Sequence, residues 1–246
     1  MRTYPKYKGP IQYINQTPYQ LCGIYPIERV KDATAIKDWL ECDTAFKNNR
    51  EGVYYFCDKI EDIEWTNDLS NVVIYNKGES LPKKYNEIKL DNVGREAHTY
   101  YHHIYNNYDN LADYTIFLQG DPFDHCVNLI NKVNEFRNMI NKPNFIFLSD
   151  LIYPTDLSIE QMYDHNNKLC HLPIQKVYNY LYNVYQIYNI SFHYGVGAQF
   201  IVSKERIREK PREFYLKLIK ILDYTNSPIE GYVLERLHGY IFKYNT

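Results

Sequence analysis

The apolar run Tyr114 to Leu118 leads straight into Gln119-Gly120-Asp121-Pro122-Phe123-Asp124-His125. Carboxylates outside the end of a buried strand are the first candidates for chemistry in this chain. A hard divalent cation such as Mg²⁺ or Mn²⁺ takes oxygen ligands and keeps water and substrate phosphates, so one or two acids suffice to hold it. Asp121 and Asp124 suit that role. Asp124 also reads as a cap for the helix that follows, and His125 as a polar residue at that helix start.

A second candidate is Glu235, on the flank of a helix whose Leu234, Leu237 and Ile241 face a core, with His238 one turn away. Such a glutamate can take a proton from a hydroxyl. It can equally anchor a buried ion pair with Arg206 or Arg212. Arg95, in the first turn of another helix, can grip a phosphate in bidentate fashion or pair with an acid. Gly195 and Gly197 allow a close backbone approach to a ligand, or simply a tight turn. His98 and His102 lie four apart on one helix and can share a transition metal, but Thr99-Tyr100-Tyr101 lacks the glutamate of H-E-x-x-H. Partnership with buried tyrosine hydroxyls is their other reading.

These residues need elements to position them. Ala97, Tyr101, Ile104, Tyr105 and Tyr108 mark one helical face, with Asn92 as its cap. Tyr114 to Leu118 has no polar alternation, as in a strand covered on both faces. Further strands are expected at Val53–Cys57, Val72–Tyr75, Phe145–Leu148 and Gln199–Val202. Val127, Ile130, Val133, Phe136 and Ile140 make a helical stripe, ended by Pro143. Residues Tyr153 to Leu172 read as a long surface excursion, and Pro173 opens a tyrosine-rich helix to about Tyr188. Ser203 caps a helix interrupted at Pro211, and Ser227-Pro228-Ile229-Glu230 opens the last one. Strands alternating with helices predict an α/β fold, a mainly parallel sheet with helices on both faces. Residues 1–50, with Pro5, Pro10, Pro18 and Pro26, read as an arm packed on a domain spanning 51–246.

Composition removes several function classes. With 28 basic and 30 acidic residues in 246, there is no electrostatic footprint for a nucleic-acid backbone. No apolar run approaches a membrane span, and no leader is expected. Five cysteines without C-x-x-C spacing predict reduced thiols rather than a disulfide framework or a zinc site. Twenty-seven tyrosines and only ten glycines suggest AT-rich coding, as in some protists and large DNA viruses. The expected location is cytoplasmic, in a host cytoplasm or virion if the source is viral.

The segments VVIYNKGE, NVGREAHTYYHHIYNNYDNLADYTIFLQGDPFDH, GAQFIVSKERIREKPREFY and GYVLERLHGYIF resemble one uncharacterised family, a domain of unknown function, over about Val53 to Phe242. That family resembles the GT-A glycosyltransferases, in which Asn-x-Gly enters a helix and a following strand ends in Asp-x-Asp. Asn92-x-Gly94 and Leu118-Gln119-Gly120-Asp121 keep the order, although Gln119 stands where the pattern has its first aspartate. The resemblance implies a GT-A-like, Rossmann-like domain that moves a sugar from a nucleotide-sugar donor to an unknown hydroxyl-bearing acceptor, with Mn²⁺ or Mg²⁺. On that reading Asp62, Asn76, Lys77 and Arg95 hold the nucleotide, and His193, Gly195 and Gly197 lie against the donor sugar. Asp121 and Asp124 hold the metal, Asp121 acting in catalysis with Glu235 as base. Two alternatives stand beside it: a non-catalytic glycan-binding or virion-type structural protein, and a metal-dependent hydrolase built on His98, His102 and the Asp121 loop.

Overall fold

The computed structural model describes residues 63–163, 168–185 and 188–243. The expected arm, the strand at Val53–Cys57 and Asp62 lie outside the described residues. The elements run β1 (Ile74–Asn76), β2 (Glu87–Lys89), α1 (Arg95–Asn107), β3 (Tyr114–Phe117), α2 (Leu129–Asn138), β4 (Phe145–Phe147), β5 (Ile152–Asp156), β6 (Gln161–Tyr163), β7 (Leu169–His171), α3 (Ile174–Tyr182), β8 (Ser191–Gly195), β9 (Phe200–Ser203), α4 (Lys204–Arg208), α5 (Arg212–Leu222) and α6 (Ile229–Lys243).

Every residue of β9 is buried, and the strand forms the middle of a three-stranded sheet ordered β3-β9-β4. Its alternate side chains serve two cores. Phe200 and Val202 join Tyr101, Tyr215, Leu237 and Phe242 from α1, α5 and α6 on one face. Ile201 joins Leu129, Val133 and Phe136 of α2 on the other. Full burial of side chains of this size is worth roughly 1.5–3 kcal/mol each, so this short strand ties both layers together.

The mainly parallel, GT-A-like sheet is not what forms. β9 pairs antiparallel with β3 and with β4, and β5-β8 and β6-β7 are separate antiparallel pairs. Among the described residues only the two-stranded β1-β2 pair is parallel. The physical reason lies in β9. Both of its neighbours run opposite to it, so β3 and β4 run parallel to each other, joined by α2. The β-α-β pattern around α2 is therefore present, but an antiparallel strand from far along the chain fills the gap between its two strands. The expected excursion at Tyr153–Leu172 likewise holds most of β5 and all of β6 and β7, short strands with mostly exposed residues and no clear alternation to read.

α6 lies directly on β8. A side chain at Gly239 would overlap the His193 carbonyl and stand 2.7 Å from Phe147 Cζ, so only glycine permits this approach. Ser203 Oγ accepts the Arg206 N–H at 3.1 Å, capping α4 as its position suggested. Among the described residues no helix is long and apolar enough to cross a membrane.

Candidate functional site

Three turns and one helix meet beyond the end of β3. After Phe117 the chain reaches Asp121 and tightens, the His125 and Cys126 N–H groups donating to the Pro122 carbonyl at 3.3 and 3.0 Å. Buried Gln199 donates through Nε2 to the same carbonyl at 2.9 Å, and Trp65 Nε1 donates to the Gly120 carbonyl at 3.1 Å. The backbone of this turn is thus tied down on both sides. The carboxylates of Asp121 and Asp124 are exposed, with no partner among the described residues. Asp124 caps nothing: α2 starts behind Asn128, and the Val127 N–H goes to Asp150 Oδ2 at 2.8 Å.

The second turn joins β8 to β9. Gly197 has φ +83° and Ala198 φ +55°, two successive left-handed residues. A Cβ on Gly197 would stand 2.6 Å from His125 Cγ and 2.7 Å from His125 Cβ, so the first turn packs face to face on the second. The Gly197 N–H in turn donates to Glu235 Oε1 at 2.7 Å. Through His125 and Gly197, the Asp121 turn and Glu235 share one edge of the fold.

Glu235 is largely enclosed, its side chain 15% exposed. Burial and the nearby Glu96 carboxylate push its pKa up, while Arg236, the Gly197 N–H and Arg95 pull the other way, with a net rise. Arg236 Nη1 lies 3.7 Å from Glu235 Oε2 and donates to the Tyr232 carbonyl at 2.8 Å. The expected anchors lie elsewhere: Arg206 pairs with Glu209 at 2.8 Å, and Arg212 donates to the Tyr105 carbonyl at 2.9 Å.

The third turn carries Arg95 to the same place. The helix cap is Gly94 rather than Asn92, and Arg95 itself is left-handed at φ +54°. The N–H groups of Gly94 and Arg95 donate to the Thr225 and Asn226 carbonyls at 2.8 and 3.2 Å, which holds the strained entry in place. The Arg95 stem crosses Gly231 and its guanidinium sits 4.2 Å over the Tyr232 ring, with Nε 3.4 Å from Glu96 Oε2. Arg95, Glu96, Glu235 and Arg236 therefore form one charged group.

Other predicted site residues fall outside this group. Asn76 closes its own turn: Oδ1 accepts from Gly78 N–H at 2.8 Å, and Nδ2 donates to the Glu79 carbonyl and to Glu87. Lys77 Nζ donates to the Val93 and Arg95 carbonyls, so it braces the α1 entry rather than facing open solution. Gly195 is buried against Ser149 and Phe147, and His193 is exposed on β8 with its carbonyl under Gly239.

His98 is buried, and burial, Lys77 and His102 lower its pKa to about 4. Its Nε2 stands 3.8 Å from Asp223 Oδ1, while His102 is engaged by Asn106 at 2.9 Å. Among the described residues no three His, Cys, Asp or Glu side chains come together as a metal-binding group. Two exposed carboxylates in one turn fit a hard cation that arrives with phosphate oxygens and water, and do not fit a self-sufficient protein cage.

Glu96, His125, Arg236 and Tyr232 belong to the site without having been expected there. The signal available for Glu96, His125 and Arg236 was their place next to Arg95, Asp124 and Glu235 in the chain; Tyr232 gave none. No curated protein and no solved structure matches the chain. One family does match, described as "Protein of unknown function (DUF3431)", over residues 58–246. The chain belongs to that family.

Proposed function

We propose that this protein is a transferase that moves a sugar from a nucleotide-sugar donor to a hydroxyl-bearing acceptor, with Glu235 taking the acceptor's proton. The observation that supports this most is the state of Glu235. It is an enclosed carboxylate with a raised pKa, fixed by one backbone N–H, so its proton affinity is shifted towards the range a general base needs. Arg95 beside it carries a permanent positive charge suited to a departing diphosphate. Asp121 and Asp124 would hold Mg²⁺ or Mn²⁺ brought in with that diphosphate, and such a cation would neutralise its developing charge. Because the sheet is not the parallel one of a GT-A domain, the reading rests on the site and not on the fold.

A thermal-shift panel of nucleotide diphosphates and nucleotide sugars, with and without Mn²⁺, tests donor binding. A ligand at about 100 times its dissociation constant adds roughly 2.7 kcal/mol of stability. The nucleotide sugar that stabilises most is then tested for release of nucleotide diphosphate. Glu235→Gln keeps an oxygen for the Gly197 N–H and should still be stabilised by the donor, while turnover falls on the order of 10²-fold or more. No stabilisation by any nucleotide, or unchanged turnover in Glu235→Gln, would end this reading.

A further inference from the structure

We infer that the β5–β8 face next to Glu235 is a carbohydrate-stacking platform built on the rings of Tyr153 and Tyr194, and that the acceptor is accordingly a pyranose-containing glycan. The word acceptor rests on the transferase reading; the platform stands or falls separately.

Tyr153 is 46% exposed, and Leu151 two residues before it is 52% exposed. Tyr153 pairs directly with Tyr194 across the two strands, and opposite residues in an antiparallel pair share a face. Their ring centroids are 6.2 Å apart with the planes inclined at 47°. The Arg236 guanidinium lies 4.9 Å over the Tyr194 ring, and the same side chain approaches Glu235. A continuous track therefore runs from exposed Tyr153 through Tyr194 and Arg236 to the proposed base.

Such a track suits one chemistry better than others. Among the described residues β5 pairs with β8 alone, so one edge is open, yet Pro154 in the middle of the strand lacks an N–H and makes a poor template for strand addition. A purely apolar partner would bury the rim of the tyrosine hydroxyls and the remaining exposed part of Arg236 and Glu235 against groups unable to hydrogen-bond them, which opposes binding. A pyranose presents an apolar C–H face to a ring and hydroxyls around its rim. Tyrosines offer that stacking surface at little conformational cost, and the charged pair supplies hydroxyl partners at the far end.

The test applies the whole chain to an array of hexose, N-acetylhexosamine and uronic-acid oligosaccharides. The retained class is then titrated calorimetrically into wild type, Tyr153→Ala and Tyr153→Phe, each checked for an unchanged unfolding midpoint. We expect binding about tenfold weaker in Tyr153→Ala and within about threefold of wild type in Tyr153→Phe, since the ring and not the hydroxyl does the stacking. No glycan bound by wild type, or equal affinity in Tyr153→Ala, overturns the platform. UDP and GDP with Mn²⁺ are titrated in parallel. Glycan binding by a wild type that binds no nucleotide upholds the platform and removes the donor site. Nucleotide binding without glycan binding does the reverse. Loss of nucleotide rather than glycan binding in Tyr153→Ala would assign the rings to the donor base and overturn the platform.

Discussion

Gly197→Ala tests the junction of the three turns most directly. A φ of +83° costs an L-residue roughly 1–2 kcal/mol. The new methyl would also stand 2.6 Å from Cγ and 2.7 Å from Cβ of His125. Because Cβ is fixed to the backbone, turning the ring about χ1 leaves that overlap, so one of the two turns must move. The Gln199 and Trp65 hydrogen bonds resist movement of the first turn, and overpacking of this kind adds roughly 1–3 kcal/mol. The expected loss is therefore about 2–5 kcal/mol. The bond to Glu235 lengthens as well, which removes a donor favouring its charged form and raises its pKa further. His125→Ala deletes the ring but keeps Cβ, so in a double-mutant cycle it should recover only part of the loss, on the order of 1 kcal/mol. Urea unfolding of the four proteins, followed by circular dichroism and tyrosine fluorescence, measures each term. A Gly197→Ala variant within about 0.5 kcal/mol of wild type, or strictly additive effects in the cycle, would refute the packing.

The remaining predictions concern protons and metal. Burial holds His238 at a pKa of about 3, and burial with Lys77 and His102 holds His98 at about 4, against 6.5 ordinarily. The unfolded chain binds those protons first, so stability falls as pH drops below about 6.5, by roughly 1.4 kcal/mol per pH unit for each histidine, down to about 4 for His98 and about 3 for His238. His238→Phe, which also removes two ring nitrogens that lack partners among the described residues, should lower this slope by one histidine's share, roughly 1.4 kcal/mol per pH unit; an unchanged slope in denaturant titrations contradicts it. Glu230 works in the opposite sense, since burial raises its pKa from 4.5 to about 8 against the opposing Tyr224 hydrogen bond. The folded state keeps a proton that the unfolded state releases, so stability declines between those values, and Glu230→Gln should remove the decline. Asp121→Asn should leave the unfolding midpoint unchanged and abolish the Mn²⁺-dependent part of stabilisation by nucleotide diphosphates. Equal Mn²⁺ dependence in the variant, or none in wild type, takes Asp121 out of the metal reading.

Periodicity located elements where one face meets a core. The helical stripe from Ala97 to Ile104 is buried in α1, and Leu129, Val133 and Phe136 are buried in α2. It did not reveal pairing direction. A strand covered on both faces is uniformly apolar whether its neighbours run with it or against it, so β3 and β9 looked the same as parallel strands would. Only the long-range pairing of Phe200 with Phe117 and Phe147 decides the matter, and no local pattern encodes it. Asn76 is a different case, because Asn76-Lys77-Gly78 carries the local signature of a turn closed by its own side chain, and that is what it forms.

At the site, Glu235 was legible from its flank position on α6, while His125 and Glu96 were not, since their importance depends on what crosses them in space. The backbone supplies the argument that periodicity lacked. Among the described residues four non-glycine residues have positive φ, and two of them, Arg95 and Ala198, belong to the turns around Glu235. Left-handed conformations at such residues cost on the order of 1–3 kcal/mol each. An ion pair as enclosed as that between Glu235 and Arg236, 15% and 12% exposed with 3.7 Å between nitrogen and oxygen, gives up in desolvation about what its attraction returns. An anchoring salt bridge would not require two strained entries, a glycine donor packed against His125, and a helix laid on β8 through Gly239. A carboxylate held at a fixed place for proton transfer would use such strain, and the proposed role of Glu235 as base draws on it together with the enclosure and the raised pKa.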